Sequence, residues 1–175
     1  ECMTASIGFR AAPRSELARE VLTRVLDAIE PDDTEPLYRD PGAPATDAPG
    51  RVPEPLQAFA AQAVRRLLDD PRSLACALGE VLSEPKPLVW FEAGEPLPDG
   101  TGIVLDRKTR MLYDEHHVFI NGESFRAGGR DARLMRRLSD ERRLAPADMA
   151  RLSDDAWYLV NDWAQAGWLH AAAAS

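Results

Sequence analysis

The side chains best suited to chemistry in this sequence are Asp114-Glu115-His116-His117. They offer the two imidazoles and the carboxylate that a non-haem iron centre takes on one face of the metal. Their spacing works against that use. On an extended chain His116 and His117 point to opposite sides, so they do not converge on one ion. One step before a hairpin strand, the run is expected to be an exposed polar connection. His170 stands alone near the end and reads as a surface residue. Cys2 and Cys76 are too few for a disulfide framework or a four-thiolate zinc site. Cys76 falls in a helical stretch whose nearest cation is Arg72, which suits a buried, inert thiol better than a nucleophile. Gly128-Gly129 lacks the Lys-Ser/Thr that follows a phosphate-cradling loop. Asp32-Asp33 and Asp69-Asp70 lie in turn or helix-end contexts. No self-contained active site emerges.

The elements that would position any site are unevenly distributed along 175 residues and 19.3 kDa, room for one ordinary domain or two small ones. A hydrophobic content of 45% with 29% charged residues is a globular composition. The net charge of −8 opposes a nucleic-acid binder that relies on a broad basic face. Residues 1–100 hold 10 basic and 18 acidic side chains, residues 101–150 hold 10 and 8, and residues 151–175 hold 1 and 3. Twelve of the 14 prolines lie between Pro31 and Pro98. These shifts predict three segments with proline-rich connections. No apolar run approaches the roughly 18–20 residues of a membrane span. The chain opens on Glu1 without an initiator Met or a signal peptide, which reads as a piece of something longer.

Met3 to Arg10 alternates as a short strand with no partner strand nearby. Ser15 is the expected N-cap of a helix carrying Leu17, Val21, Leu22, Val25, Leu26 and Ile29 on one stripe. An acidic, proline-rich connection then runs from Glu30 to Pro55. A second helix places Leu56, Phe59, Ala60, Ala63, Val64, Leu67 and Leu68 on one side until Asp69-Asp70-Pro71 stops it. A third runs from about Arg72 to Leu82, with Leu74, Leu78, Val81 and Leu82 inward. The apolar tag Leu88-Val89-Trp90-Phe91 is expected to pack against these helices. Three such helices bury a modest core and leave a surplus stripe for a second copy.

Beyond residue 100 the period changes. Strands are predicted over 102–106 and 109–113, then a hairpin over 117–125 around Asn121-Gly122, which supplies two positive-φ positions. A helix with Leu134, Met135 and Leu138 follows, then a short one near Pro146. A final helix from Asp154-Asp155 carries Trp157, Val160, Trp163 and Ala164, and Gly167 ends it before the strand-like Trp168-Leu169-His170. The fold class is α+β, with a winged-helix module at this end. Its last helix carries Asp154, Asp155 and Asp162 and no Lys or Arg, so it would repel phosphates where a recognition helix attracts them. Arg130, Arg133, Arg136, Arg137, Arg142 and Arg143 alternate with Asp131, Asp140 and Glu141. That cluster is either a solvated face of i,i+3 and i,i+4 pairs or a contact for RNA or an acidic protein.

Ser6-Ile7-Gly8-Phe9-Arg10-Ala11, Tyr38-Arg39-Asp40-Pro41, Glu84-Pro85-Lys86-Pro87, Val118-Phe119-Ile120-Asn121-Gly122-Glu123 and the closing Gly167-Trp168 occur in this order. Together they make the chain resemble the C-terminal part of the bacterial ribosomal oxygenases. These are cupin-fold (JmjC-type), iron(II)- and 2-oxoglutarate-dependent enzymes that hydroxylate an arginine in a large-subunit ribosomal protein. The resemblance implies four regions: residues 1–12 as the last strand of a truncated cupin barrel, 13–83 as a helical dimerisation region, 84–100 as a linker, and 101–172 as a winged-helix domain. It implies that the iron ligands, a His-x-Asp and a distal His, lie upstream of Glu1. Thr4, Ser6 and Arg10 would then line the 2-oxoglutarate pocket, although Ala5 stands where the family usually has an aromatic.

On this reading the chain alone is inactive, contains no metal or cofactor of its own, resides in the cytoplasm and forms a homodimer. Leu22, Leu26, Phe59 and Leu67 are the expected dimer contacts. The partner is a large-subunit ribosomal protein rather than DNA or a membrane. The rival reading is a free-standing acidic winged-helix protein that binds DNA or a partner protein; a complete small metalloenzyme is a third.

Overall fold

The computed structural model describes residues 12–30, 34–42 and 44–172. The strand expected at 3–10 lies outside them. The chain forms two compact units, Glu1–Ala77 and Leu78–Ser175.

The first unit holds α1 (Arg14–Asp27), α2 (Glu54–Leu68) and the start of α3 (Pro71–Ser83). The expected Ser15 cap is not formed. Pro13 occupies the N-cap in an extended conformation, its carbonyl accepts the Leu17 N–H, and Ser15 lies inside the first turn. Proline suits that position because its fixed φ and missing N–H cost the first turn nothing. The end of α2 follows the expectation. Asp70 Oδ1 accepts the Arg72 N–H at 2.9 Å, and Pro71 opens the next helix. The Tyr38 ring lies 5.6 Å from that of Phe59. Among the described residues of this unit only Val25 and Ala77 are buried. Leu22, Leu26, Ile29, Val64 and Leu68 stay exposed.

The second unit carries the core. Strands β1 (Ile103–Leu105), β5 (Arg143–Leu144) and β6 (Leu169–Ala171) form one antiparallel sheet in the order β5-β1-β6. Strands β2 (Met111–Tyr113), β3 (His117–Ile120) and β4 (Glu123–Arg126) form a second in chain order. Helices α4 (Gly129–Glu141), α5 (Pro146–Met149) and α6 (Asp154–Gln165) complete the unit. The strand at the centre of the first sheet thus comes from before all three of these helices. Its alternation sends Ile103 and Leu105 into the core with Leu138, Leu144, Val160, Trp163 and Leu169, and leaves Val104 on the solvent side.

The Asn121-Gly122 turn is formed as expected, with φ of 50° and 92°. It pairs Ile120 with Glu123. Gly79, in the middle of α3, costs roughly 1 kcal/mol of helix propensity relative to alanine. Its role is packing: a Cβ there would run into the buried Phe119 ring. Ser83 accepts the Gly122 N–H at 3.1 Å and so ties α3 to the hairpin turn. With Gly79 and Ser83 on that side, Leu82 turns outward and is 43% exposed, contrary to the expected inward position.

The apolar tag also departs from expectation. Leu88 and Trp90 are 85% and 70% exposed, Val89 and Phe91 are half-buried, and Phe91 lies edge-on against Trp168 at 6.4 Å. A hydrogen-bonded turn from Lys86 to Val89 and a left-handed Leu88 (φ 70°) turn the tag outward.

Arg142 closes α4 in the left-handed conformation, φ 59°, where a side chain costs about 1–2 kcal/mol. Its Nη2 donates to the carbonyls of Asp106 (2.7 Å) and Thr109 (3.1 Å), holding the turn that leaves β1. Arg142→Ala, which loses these bonds and keeps the strain, is expected to destabilise the protein by about 1.5–3 kcal/mol. Arg142→Gly, which relieves the strain, should be about 1 kcal/mol less harmful. Urea unfolding measures both; equal losses would remove the strain argument.

Candidate functional site

The arginines of α4 and the turn after it are a dense group of charge in the second unit, and half of them are engaged. Arg137 pairs with Glu141 one turn on (2.9 Å) and with the buried Asp148 of α5 (2.8 Å). Arg136 donates to the carbonyls of Asp114 (3.3 Å) and Glu115 (2.9 Å), and its guanidinium lies 5.7 Å from the Tyr113 ring centre. Arg142 clamps the Asp106–Thr109 turn as described. The cluster is therefore more than a solvated face: Arg136 and Arg142 hold neighbouring loops and Arg137 holds α5. Arg130, Arg133 and Arg143 point to solvent.

The Asp114–His117 run joins β2 to β3. Asp114 Oδ1 accepts the backbone N–H groups of both His116 and His117 at 2.6 Å, and the His117 ring approaches Oδ2 at 3.5 Å. Burial pushes this carboxyl up, but those donors outweigh it and hold it below the usual carboxylate range. The carboxylate is occupied in shaping the turn. His116 is exposed and His117 half-buried. His170, on the solvent face of β6, reaches Asp106 Oδ2 at 3.1 Å.

Asp131, in the first turn of α4, accepts both the N–H (3.1 Å) and the hydroxyl (2.7 Å) of Ser153. Ser153 in turn caps α6 by accepting the Ala156 N–H. Asp131 and Asp148 are the important polar residues that sequence reasoning missed. Each is ordinary in its own helix, and the partners that matter lie 22 and 11 positions away.

Helix α6 is the last helix of the unit and keeps one face exposed. At 100° per residue, Asp154, Asp155, Tyr158, Asp162 and Gln165 fall within about 100° of arc. All five are exposed, and α6 contains no Lys or Arg. Asp154 and Asp155 favour the N-terminal end of the helix dipole, whereas Asp162 lies in the last turn, where a carboxylate opposes it. This face repels phosphate.

Two of the unit's clefts are lined by these arginines and carboxylates. One of about 800 Å³ follows the β5 edge, lined by Gly102, Val104, Arg137, Arg143 and Pro146 among others. The other, about 270 Å³, lies at the starts of α4 and α6 and is lined by Phe125, Asp131, Ser153, Asp155 and Trp163 among others. Neither is lined by a histidine or cysteine. Among the described residues no three His, Cys, Asp or Glu side chains converge to hold a metal ion. Thr4, Ser6 and Arg10, expected at a 2-oxoglutarate pocket, lie outside the described residues. Of the expected dimer contacts, Leu22 and Leu26 are 41% and 56% exposed, and Phe59 and Leu67 are half-buried. Cys76 is half-buried on α3. Among the described residues no helix is long and apolar enough to cross a membrane.

Residues 66–170 match the family model described as ROXA-like winged helix. A comparison with curated proteins finds no match. Among solved structures, the fold is similar to ycfD of Escherichia coli, with 18% identity and a TM-score of 0.72 over 95% of this chain and 46% of that one. It is similar to the structures of YcfD, a ribosomal oxygenase from Escherichia coli, in complex with cobalt and succinic acid (18% identity, TM-score 0.71, 94% and 48% coverage) and with cobalt and 2-oxoglutarate (18%, 0.70, 94% and 48%). The chain spans about half the length of the solved structures it matches, and at this identity the likeness is one of fold.

The Ser153 hydroxyl, ahead of the opposing effect of burial, holds the Asp131 carboxyl below its ordinary value. Its contribution is therefore complete above the unfolded pKa of about 3.9 and lost as pH falls through the lower folded value. Asp131→Asn is expected to lower stability at pH 7 by about 1 kcal/mol and to flatten the fall between about pH 5 and pH 2. Urea midpoints across that window check it. An unchanged acid slope would show that Asp131 does not couple α4 to α6.

Proposed function

This chain belongs to the ROXA-like winged-helix family, and from that premise we propose that it is the helical and winged-helix portion of an iron(II)- and 2-oxoglutarate-dependent ribosomal protein arginine hydroxylase. The observation that carries the reading is the family match over 66–170, joined to a fold likeness that extends over 95% of the chain. On this proposal residues 1–12 close a cupin barrel, with Thr4, Ser6 and Arg10 at the 2-oxoglutarate pocket. The iron ligands belong to a catalytic domain that these 175 residues do not contain. Iron(II) and 2-oxoglutarate supply the oxidising chemistry there, and no step is assigned to the described residues. The substrate is a large-subunit ribosomal protein, and the setting is the cytoplasm.

The first unit is the self-associating part. With Val25 and Ala77 as its only buried described residues, α1 and α2 keep apolar stripes in water. A second copy would cover them, at roughly 1.5–3 kcal/mol for each large apolar side chain buried. The winged-helix module then serves protein contact. The acidic α6 face supports this over the rival of a free-standing duplex-DNA reader.

Light scattering at micromolar concentration is expected to give twice the 19.3 kDa chain mass. Leu26→Asp, at an exposed position, should yield a folded monomer. A monomeric wild-type chain, or retention of duplex DNA at physiological ionic strength, would contradict the reading.

A further inference from the structure

The segment from Glu84 to Gly94 is fixed along its length yet shows its largest apolar side chains to solvent. Arg110 Nη1 donates to the Glu84 carbonyl at 2.7 Å, and Val89 N–H closes a turn on the Lys86 carbonyl at 3.1 Å. Lys108 Nζ donates to the Trp90 carbonyl at 3.1 Å while lying 5.3 Å from the Phe91 ring centre. Gly94 N–H donates to the Gln165 carbonyl at 2.9 Å, and there is no room for a Cβ on Gly94 against the Ala164 carbonyl. Between these ties Leu88 adopts a positive φ that L side chains rarely take, and Leu88 and Trp90 protrude. A floppy linker would expose a tryptophan by default. This one is held.

The neighbouring charge selects what could cover it. Lys86, Arg107, Lys108 and Arg110 are all exposed and are joined to the segment by the bonds above or by chain adjacency. Asp106, in the same turn, is taken up by His170 and by the Lys108 N–H at 2.8 Å. Glu84 and Glu92 flank the segment at its two ends. The tied segment and the 106–110 turn bonded to it carry an exposed indole and four exposed cations, with Glu84, Glu92 and Glu95 toward the ends of the segment and Asp106 engaged. This combination fits a polyanion whose repeating unit also has a flat face. Bases stack on an aromatic side chain without regard to sequence while the cations follow the backbone phosphates. Duplex is disfavoured because its bases are already stacked and α6 repels it. We propose that the Trp90 ridge is a docking site for single-stranded RNA, with Trp90 stacking on a base and Lys86, Arg107, Lys108 and Arg110 facing phosphates. This goes beyond the hydroxylase reading and stands or falls independently of it.

The test uses the full chain and a fluorescein-labelled oligouridine of about ten nucleotides, within the site size of such grooves. Binding is read by anisotropy and by tryptophan emission at about 50 mM salt, where phosphate contacts are strong. Trp90 is the most exposed of the four tryptophans, so binding should quench the red-shifted part of the emission. Trp90→Ala should weaken binding about tenfold or more, and Trp90→Phe should restore most of it. Arg107→Ala with Lys108→Ala should lower the salt slope by about 0.7 for each phosphate left without its cation. Circular dichroism confirms that each variant is folded. Absence of binding at this salt, or binding equal for Trp90→Ala or for duplex RNA, would overturn the proposal. So would a Trp90-dependent affinity for polyglutamate in place of oligouridine, which would point to an acidic protein partner.

Discussion

The second unit depends on the burial of one short strand. Ile103 and Leu105 of β1 are 0% and 3% exposed, with β5 on one side and β6 on the other. A three-residue strand has little backbone pairing of its own, so its place rests on those two side chains meeting Leu138, Leu144, Val160 and Leu169. Because β1 precedes the helices, the chain must leave the sheet, complete the β2–β4 meander and return through α4 to lay β5 beside it. The Arg142 guanidinium secures the point of departure, and its own carbonyl accepts the Leu105 N–H at 2.9 Å. One residue thus joins the end of α4 to the central strand.

That topology explains where the arginines go. A meander inserted between a strand and its helix leaves turns whose carbonyls need donors, and Arg136 and Arg142 supply them from α4 and its cap. Arg137 serves the buried carboxylate of α5. Half of the charge that looks in composition like a binding face is therefore committed to internal ties, and the charged residues of α6 are carboxylates alone. Among its described residues the first unit has no comparable core. Its helices are amphipathic, but among its described residues burial reaches only Val25 and Ala77. On the proposed reading a second copy would cover this exposed helical face.

Much of this is legible in local patterns. Asn121-Gly122 demands a tight hairpin because two adjacent positive φ angles suit few other pairs. Asp154-Asp155 marks the start of α6, and Gly167 its end. Expectation and structure part where local preference meets a distant partner. Leu88-Val89-Trp90-Phe91 is apolar enough to suggest core, but the Lys86–Val89 turn and the Lys108 bond decide which side chains face inward. Ser15 is a good cap in isolation, and Pro13 takes the position first. Leu82 lies on the expected stripe, but Gly79 offers Phe119 a closer seat and rotates the inward side of α3. Asp131 and Asp148 could not be singled out because their partners belong to other elements. The candidate pocket residues Thr4, Ser6 and Arg10 owe their assignment to the family resemblance and to nothing in their own spacing.

On the proposed reading the winged-helix unit stands by itself, while α1 and α2 are completed by a second copy. Amide hydrogen exchange measured over roughly a hundredfold range of protein concentration tests it most directly. Protection of β1 and α6 should be high and independent of concentration, while that of α1 and α2 should rise with concentration. Protection of α1 and α2 that is strong and concentration-independent would contradict it, by showing that a single copy already stabilises these helices.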